Sequence, residues 1–361
     1  MAVSGRPARS MPRPFERPVT PVAPAVPDAP APRRVSDISR AMGGGLGIHV
    51  AVRSGSESTA TRDAARAADR VRAWARLLTR HDPTSDLMRF NANPDPRVSV
   101  GLTLARVLEW ADDARRLTGG VVDATLLDAR LAAEAGSEEP AQPFDRRWRL
   151  ARTPRGAVVE RAPGLHIDLD GVAKGWLADR ALALLDGHEG AVVDADGDIA
   201  IRVAPADAWE IGVGDPRDAE MLLAVLRFER ASAGPDGRLG VATSGISVHS
   251  WPDAKGGPGS ANGPSEDGAD SRAGDGAGLG AQVGRHHLID PRTGRPAQTD
   301  VVQATVIASS AAVAEAWAKT AVILGGAAAL DRLEHAAVRG AILLLRDGRT
   351  VAIPRTTRYL A

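Results

Sequence analysis

The stretch Asp168-Leu169-Asp170-Gly171-Val172-Ala173-Lys174-Gly175 sets two carboxylates and a turn glycine ahead of a helical pattern whose first turn carries a lysine. A helix N-terminus attracts anions through its free N–H groups and its dipole. A lysine in that first turn works against the dipole unless an anion lies close by. The combination reads as a place to hold a phosphate, with nearby carboxylates suited to a ribose, a ring N–H or a metal. Later in the chain, His286 and His287 precede Leu288-Ile289-Asp290 and the turn residues Pro291-Arg292-Thr293-Gly294. An imidazole can serve as a general base near neutral pH. Neighbours in an extended segment point to opposite faces, so at most one of this pair faces a site.

Other segments carry weaker chemistry. Ala41-Met42-Gly43-Gly44-Gly45-Leu46-Gly47 suits close backbone approach to a ligand, and equally a flexible lead-in to the first strand. It lacks the strand before and helix after that a dinucleotide fingerprint requires. His81-Asp82-Pro83-Thr84-Ser85-Asp86 reads as a turn and helix N-cap. Thr118-Gly119-Gly120 reads as a helix C-cap, with Val121, Val122, Asp123 and Thr125 following where Asp and Thr can reach a ligand. Asp194-Ala195-Asp196-Gly197-Asp198 opens like a calcium loop, but apolar Ile199, Ala200 and Ile201 stand where oxygen ligands are needed, so it reads as a turn. Glu315 and Lys319 stand four apart on one face of an Ala-rich helix.

The elements that must position these groups follow from periodicity. Strands are expected at Gly47–Val52, Leu165–Leu169, Val192–Val193, Ile199–Val203, Glu210–Gly214, Gly240–Thr243 and Val301–Ala308. Helices are expected at about Ser58–Arg80, across Leu104 to Leu117, at Ala173–Leu185 and at Ala311–Leu324. Ala341–Leu345 and Thr350–Ile353 close as a hairpin around Asp347-Gly348. Strands and helices mix without regular alternation, which argues for an α+β fold.

Composition limits the rest. With 43% hydrophobic residues in 361, the chain can build a substantial core. Equal numbers of acidic and basic residues, 45 of each, create no field favouring nucleic acid. The absence of cysteine removes disulfides, thiolate metal sites, a cysteine nucleophile and a lipid-modified cysteine. No apolar run reaches the roughly 20 residues of a membrane span. Residues 1–35 form a Pro/Ala/Arg-rich tail, expected to be disordered and unlike a cleavable signal, so a cytoplasmic location is expected. A Gly-rich insertion at about 252–283 is too poor in apolar residues to order itself. It interrupts, without dividing, a single domain over 36–361.

In this order, DPTSDLMRFN, GGVVDATLLD, IDLDGVAKGWLADR, VATSGISV and HHLIDPRTG resemble the FAD:protein FMN transferase (ApbE-type) family, over about Arg40 to Gly325. The resemblance implies an α+β fold with a mixed sheet and helices, of the ApbE-like, T-fold-related type, in a single catalytic domain. It implies FAD as substrate, a magnesium ion (Mg2+) at its pyrophosphate, and transfer of FMN to a Ser or Thr hydroxyl of a target protein with release of AMP. The acceptor would carry a Ser/Thr-Gly-Ala-Ser/Thr-like motif. A non-catalytic FAD-binding protein and a hydrolase giving FMN and AMP are the alternatives.

By the same resemblance, Met42, His81, Val121, Val122, Asp123, Asp168, Lys174 and Ile289 contact FAD. His287 and Asp168 are catalytic, and Gly171, Glu315 and Lys319 take the metal-ligand positions. The sequence departs from the family at several points. Many members have an aromatic residue at the place of His81 and threonine at that of Gly44. On the Ala-rich helix many have aspartate and, four residues on, threonine or serine. Glutamate can reach a metal, whereas lysine is no hard-metal ligand at neutral pH. Lys319 either pairs with Glu315 or substitutes its ammonium for part of the metal's charge. Thr320 is adjacent but rotated about a quarter turn off that face.

Overall fold

Strands whose every residue is apolar, rather than every second one, belong to a sheet covered on both faces. The middle strands of this chain have that character, and the structure explains it. The computed structural model describes residues 33–52, 55–137, 147–205, 207–247, 250–251 and 285–361. The first half runs β1 (Arg34–Ala41), β2 (Gly44–Ala51), α1 (Glu57–Leu78), α2 (Asp86–Ala92), β3 (Arg97–Gly101), α3 (Leu102–Leu117), α4 (Leu127–Glu134), β4 (Trp148–Thr153), β5 (Gly156–Arg161) and α5 (Ala173–Ala183). Then follow β6 (Ala191–Ala195), β7 (Asp198–Arg202), β8 (Ala208–Asp215), β9 (Asp218–Glu229), β10 (Arg238–Gly245), β11 (Ser250–Trp251), β12 (Arg285–His286), β13 (Ile289–Asp290), β14 (Arg295–Pro296) and β15 (Val301–Ala308). The chain closes with α6 (Ala311–Leu324), α7 (Gly326–His335), β16 (Gly340–Leu345) and β17 (Thr350–Ala352).

The main sheet has eight strands in the order β1-β2-β6-β7-β10-β15-β16-β17, each antiparallel to its neighbour. Alternation then sorts the side chains. Ala191, Val193, Ala195 and Ala200 pack with Ala64, Ala68 and Val71 of α1 and Ala178 of α5. Val192, Ile199, Ile201 and Val241 pack with Trp209, Val213, Leu226 and Phe228 of the β8–β9 hairpin. A smaller sheet, β3-β5-β4, packs with α3 and the segment Leu165–Leu169 into a second cluster. The α+β class expected from the sequence is the class observed.

Helices α5 and α6 hold the site, and they exchange carboxylates. Val172 at the N-cap of α5 has no side-chain cap bond, and Gly175 N–H instead donates to Glu315 Oε2 of α6 at 3.0 Å. In return, Ala311 and Ala312 N–H at the start of α6 donate to the two oxygens of Asp179 of α5, at 2.9 Å each. The helices must be close for this. A Cβ at Gly175 would lie 2.6 Å from the Ala311 carbonyl oxygen.

Three sequence expectations need correction. Leu165–Leu169 alternates in burial as a strand would but joins no sheet. Its backbone is satisfied by the side chain of Asn91, which brackets Ile167 at 2.8 and 2.9 Å, and by the Ala124 carbonyl, which accepts from Asp168 N–H at 2.7 Å. The glycine-rich segment is no flexible lead-in but the turn of the β1–β2 hairpin, with Met42 at φ 56° and Gly43 at φ 79°. Strand β1 starts at Arg34, inside the stretch assigned to the tail. The rest of that tail and the Gly-rich insertion lie outside the described residues.

Asp179 gives a pH test of the helix pair. Burial, offset in part by the Ala312 and Ala311 N–H donors, raises its carboxyl to about 6. The folded chain thus holds this proton more tightly than the unfolded chain. That contribution to stability is complete below about pH 4 and is lost as pH rises through about 6. Relative to Asp179→Asn, which cannot titrate, the native chain should lose roughly 2–3 kcal/mol between about pH 4 and about pH 7. Urea unfolding of both proteins across that range measures it.

Candidate active site

Two adjoining hollows meet over the N-terminal end of α5 and share Arg130, Asp168 and Asp170 in their walls. The narrower is lined by Val121, Val122, Asp123, Gly171, His287, Ile289 and Lys319. The wider, of about 1080 Å³, is lined by Met42, His81, Lys174 and Asp196, together with Arg40, Arg72, Arg76 and Arg80. Its size is at the upper end of small-molecule sites, about 300–1,000 Å³. The residues singled out from sequence therefore come together from distant parts of the chain. Of those implied to touch FAD or a metal, the exception is Glu315, which is fully buried.

Each side chain has a local reason for its place. Ser85 caps α2, accepting from Met88 N–H at 3.0 Å, which fixes the turn that carries His81. Gly119 and Gly120 adopt positive φ and end α3, with Gly120 N–H on the Arg115 carbonyl at 2.7 Å. The chain then turns through Val121 to Asp123, where Asp123 Oδ1 accepts from Thr125 N–H at 2.9 Å. His286 is buried and bonds Ala297 O at 3.0 Å, with burial holding its pKa below the usual value. His287 is the member of the pair that faces the hollow. Asp290 accepts from Arg292 N–H at 2.8 Å and forms the expected turn.

Arg130 of α4 organises the carboxylates, and the sequence reading did not single it out. Its guanidinium donates to Asp168 Oδ2 at 3.0 Å, to Asp170, and through Nε to Glu134 Oε1 at 2.9 Å. Arg80 closes the network onto Glu134 at 2.7 Å. Burial disfavours the Arg130 charge, but Asp168 and Asp170 outweigh it and hold the pKa above the ordinary arginine value. Partial burial likewise opposes ionisation of Asp170, and Arg130, Lys319 and Lys174 overcome it, keeping the carboxyl well below its usual range. A signal was present: Arg130 shares the buried side of α4 with Leu127 and Ala133 and has Glu134 four residues on.

The anion expected near Lys174 is supplied by the protein itself. Lys174 Nζ donates to Asp196 Oδ2 at 3.1 Å. Burial works against its charge, but Asp198, Asp196 and Glu315 raise its pKa above the lysine norm. Asp196 sits at φ 58° in the β6–β7 turn, as the turn reading of that segment requires. A Cβ on Gly44 would meet its carboxylate at 2.3 Å, so the glycine leaves this acid its room. Below, burial and then the Glu315 charge push the Asp198 carboxyl well above the usual range.

At the positions implied for a metal, Lys319 Nζ donates to Glu315 Oε1 at 2.8 Å and to the Asp170 carbonyl at 3.1 Å. The other Glu315 oxygen is engaged by Gly175 N–H. Thr320 turns its hydroxyl to Ala316 O of its own helix at 2.8 Å. A Cβ on Gly171 would lie 3.8 Å from the Lys319 stem.

The ApbE family model matches residues 42–261 and 272–343. The chain belongs to the ApbE family. It is 29% identical over 174 residues to a protein of Treponema pallidum (strain Nichols) named FAD:protein FMN transferase. That alignment takes in 45% of this chain and 39% of the relative, so the chain spans about two fifths of that relative's length. Among solved structures, the ApbE protein of Thermotoga maritima matches with a TM-score of 0.69 at 21% identity, over 91% of this chain and 100% of that one. The flavin transferase ApbE of Vibrio cholerae matches with a TM-score of 0.63 at 21% identity, over 91% and 99%. At that identity the two structures establish the ApbE fold.

The Arg130 network can be tested by stability. Arg130→Met strands Asp168 and Asp170 beside each other and should destabilise the fold by about 3 kcal/mol near neutral pH. The depressed Asp170 pKa sets the sign of the pH effect. Its stabilisation is present above the unfolded carboxylate pKa, about 4, and is lost as pH falls through the lower folded value. The gap between variant and native protein should therefore narrow on acidification, as read from denaturant midpoints.

Proposed function

We propose that this chain is a FAD:protein FMN transferase. The observation that carries the reading is the convergence of His287, Asp168, Arg130 and Lys174 on one cleft at the α5 N-terminus. FAD is a dinucleotide whose pyrophosphate needs cations against its oxygens and whose flavin needs an apolar wall. Lys174 and Arg130 supply positive charge, and Val121, Val122, Ile289 and Met42 supply apolar surface.

In the proposed reaction a Ser or Thr hydroxyl of the acceptor attacks the phosphorus on the flavin side of the pyrophosphate. The new bond joins the acceptor oxygen to that phosphorus. The bond to the bridging oxygen breaks, and AMP leaves with it. The hydroxyl proton passes to the His287 imidazole. Asp168, fixed by Arg130, orients the substrate beside it. Charge gathering on the phosphoryl oxygens is met by cations already in place, which lowers the barrier without reorganisation. We place FAD against Met42, His81, Val121, Val122, Asp123, Asp168, Lys174 and Ile289, and the acceptor with its Ser/Thr-Gly-Ala-Ser/Thr-like segment at the open side of the cleft.

Magnesium is implied by the family, but the residues at its positions do not suit it. An ammonium, as at Lys319, has no lone pair to offer a metal. Its ammonium and Gly175 N–H already engage both oxygens of Glu315. Among the described residues no group of three His, Asp or Glu side chains is arranged to hold a metal ion.

The test is incubation with FAD and an acceptor protein bearing the motif, following AMP and acceptor-bound flavin together. The two should appear in equal amounts, and His287→Ala should slow both by about 10²–10⁴-fold with FAD binding little changed. Absence of flavinylated acceptor under every metal condition sinks the proposal. AMP release indifferent to the acceptor would replace transfer by hydrolysis to FMN and AMP.

A further inference from the structure

A buried ion pair is weak as a stabiliser, because the desolvation of two charges offsets their attraction. The Glu315–Lys319 pair is such a case. Glu315 is fully buried, and Lys319 is 8% exposed. The pair also sits on a helix whose other residues in that stretch are Ala316, Trp317 and Ala318. A lysine placed there needs a reason beyond stability.

Its position supplies one. Lys319 lies in the wall of the narrower hollow with Asp170, Gly171 and His287. An ammonium has three N–H donors. Two are directed to Glu315 Oε1 and the Asp170 carbonyl, which fixes the nitrogen in place. The third remains for an acceptor in the hollow. Glu315 is in turn held by Gly175 N–H, so the lysine is braced by both helices rather than swinging on a free stem.

We propose that the Lys319 ammonium is a built-in cation for the pyrophosphate of the dinucleotide, standing where relatives would recruit a divalent ion. This rests on the flavin-transferase reading above. The Lys319 ammonium is tethered, donates a directed hydrogen bond and needs no ion from solution. Its consequence is that pyrophosphate binding by this chain does not depend on magnesium. Replacement of the lysine by a hydroxyl restores an oxygen donor beside Glu315 and with it room for a metal.

The experiment measures FAD binding by flavin fluorescence, and AMP release, for the full chain in EDTA and in millimolar Mg2+. Native protein should bind FAD with the same affinity, within about two-fold, in both. Lys319→Met should weaken FAD by about ten-fold or more in both, the loss expected for one charge-assisted hydrogen bond. Lys319→Thr should be as weak in EDTA and recover in Mg2+. Circular dichroism and melting of each variant establish that it is folded. If Lys319→Met does not fold, Lys319→Gln and the native metal comparison decide.

A ten-fold or greater gain of native FAD affinity on adding Mg2+ overturns the built-in cation, as does unchanged binding by folded Lys319→Met. Either result leaves flavin transfer standing if AMP release continues. Failure of the native chain to bind FAD or release AMP in both buffers removes the transferase reading, and this proposal with it.

Discussion

Two helix N-termini, each capped by a carboxylate from the other helix, set the geometry of the rest. Four N–H groups at the start of a helix lack partners within it. In α5 and α6 part of that deficit is met across the interface, by Glu315 in one direction and Asp179 in the other. A pair of reciprocal caps fixes more than distance. It sets how far one helix is slid along the other and how each is rotated about its own axis. Gly175 makes it feasible, because any side chain there would strike the Ala311 carbonyl. Lys174 adjoins the capped N–H, and Lys319 lies one turn beyond the capping glutamate. Both ammonium groups inherit their positions from the cap.

The electrostatic character of the cleft follows. Three of its cations are held by acids of the protein: Arg130 by Asp168 and Asp170, Lys174 by Asp196, Lys319 by Glu315. A ligand entering the cleft meets charges that are already oriented and already compensated. The sheet contributes stiffness rather than chemistry. Its residues that reach the cleft lie in two turns and the strand ends beside them, Arg40 to Gly45 and Asp196.

Long periodic segments were legible in the sequence. Helices α1, α3, α5 and α6 and strands β2, β7, β15 and β16 fall within a few residues of where apolar spacing puts them. The ordered motifs also named most of the residues that the fold gathers. What escaped was local structure whose satisfaction is non-local. Leu165–Leu169 alternates as a strand does, yet its partners are the Asn91 side chain and a loop carbonyl, which no periodicity reveals. Strand β9 was missed because its exposed end, Asp218 to Met221, hides the apolar register of the rest. Arg130 was missed because its importance comes from Asp168 and Asp170, 38 and 40 residues away.

The distance along the chain between the capped partners has a further meaning. Gly175 and Glu315 are separated by 140 residues. The main sheet adds its strands largely in chain order, so much of it can assemble while the nascent chain is still emerging from the ribosome. The cleft cannot. Until α6 is complete, α5 has no cap, and neither Lys319 nor a settled place for Lys174 exists. Contacts of such long range form late, after loop closure has been met by other interactions. The complete cleft is therefore one of the last parts of the fold to form.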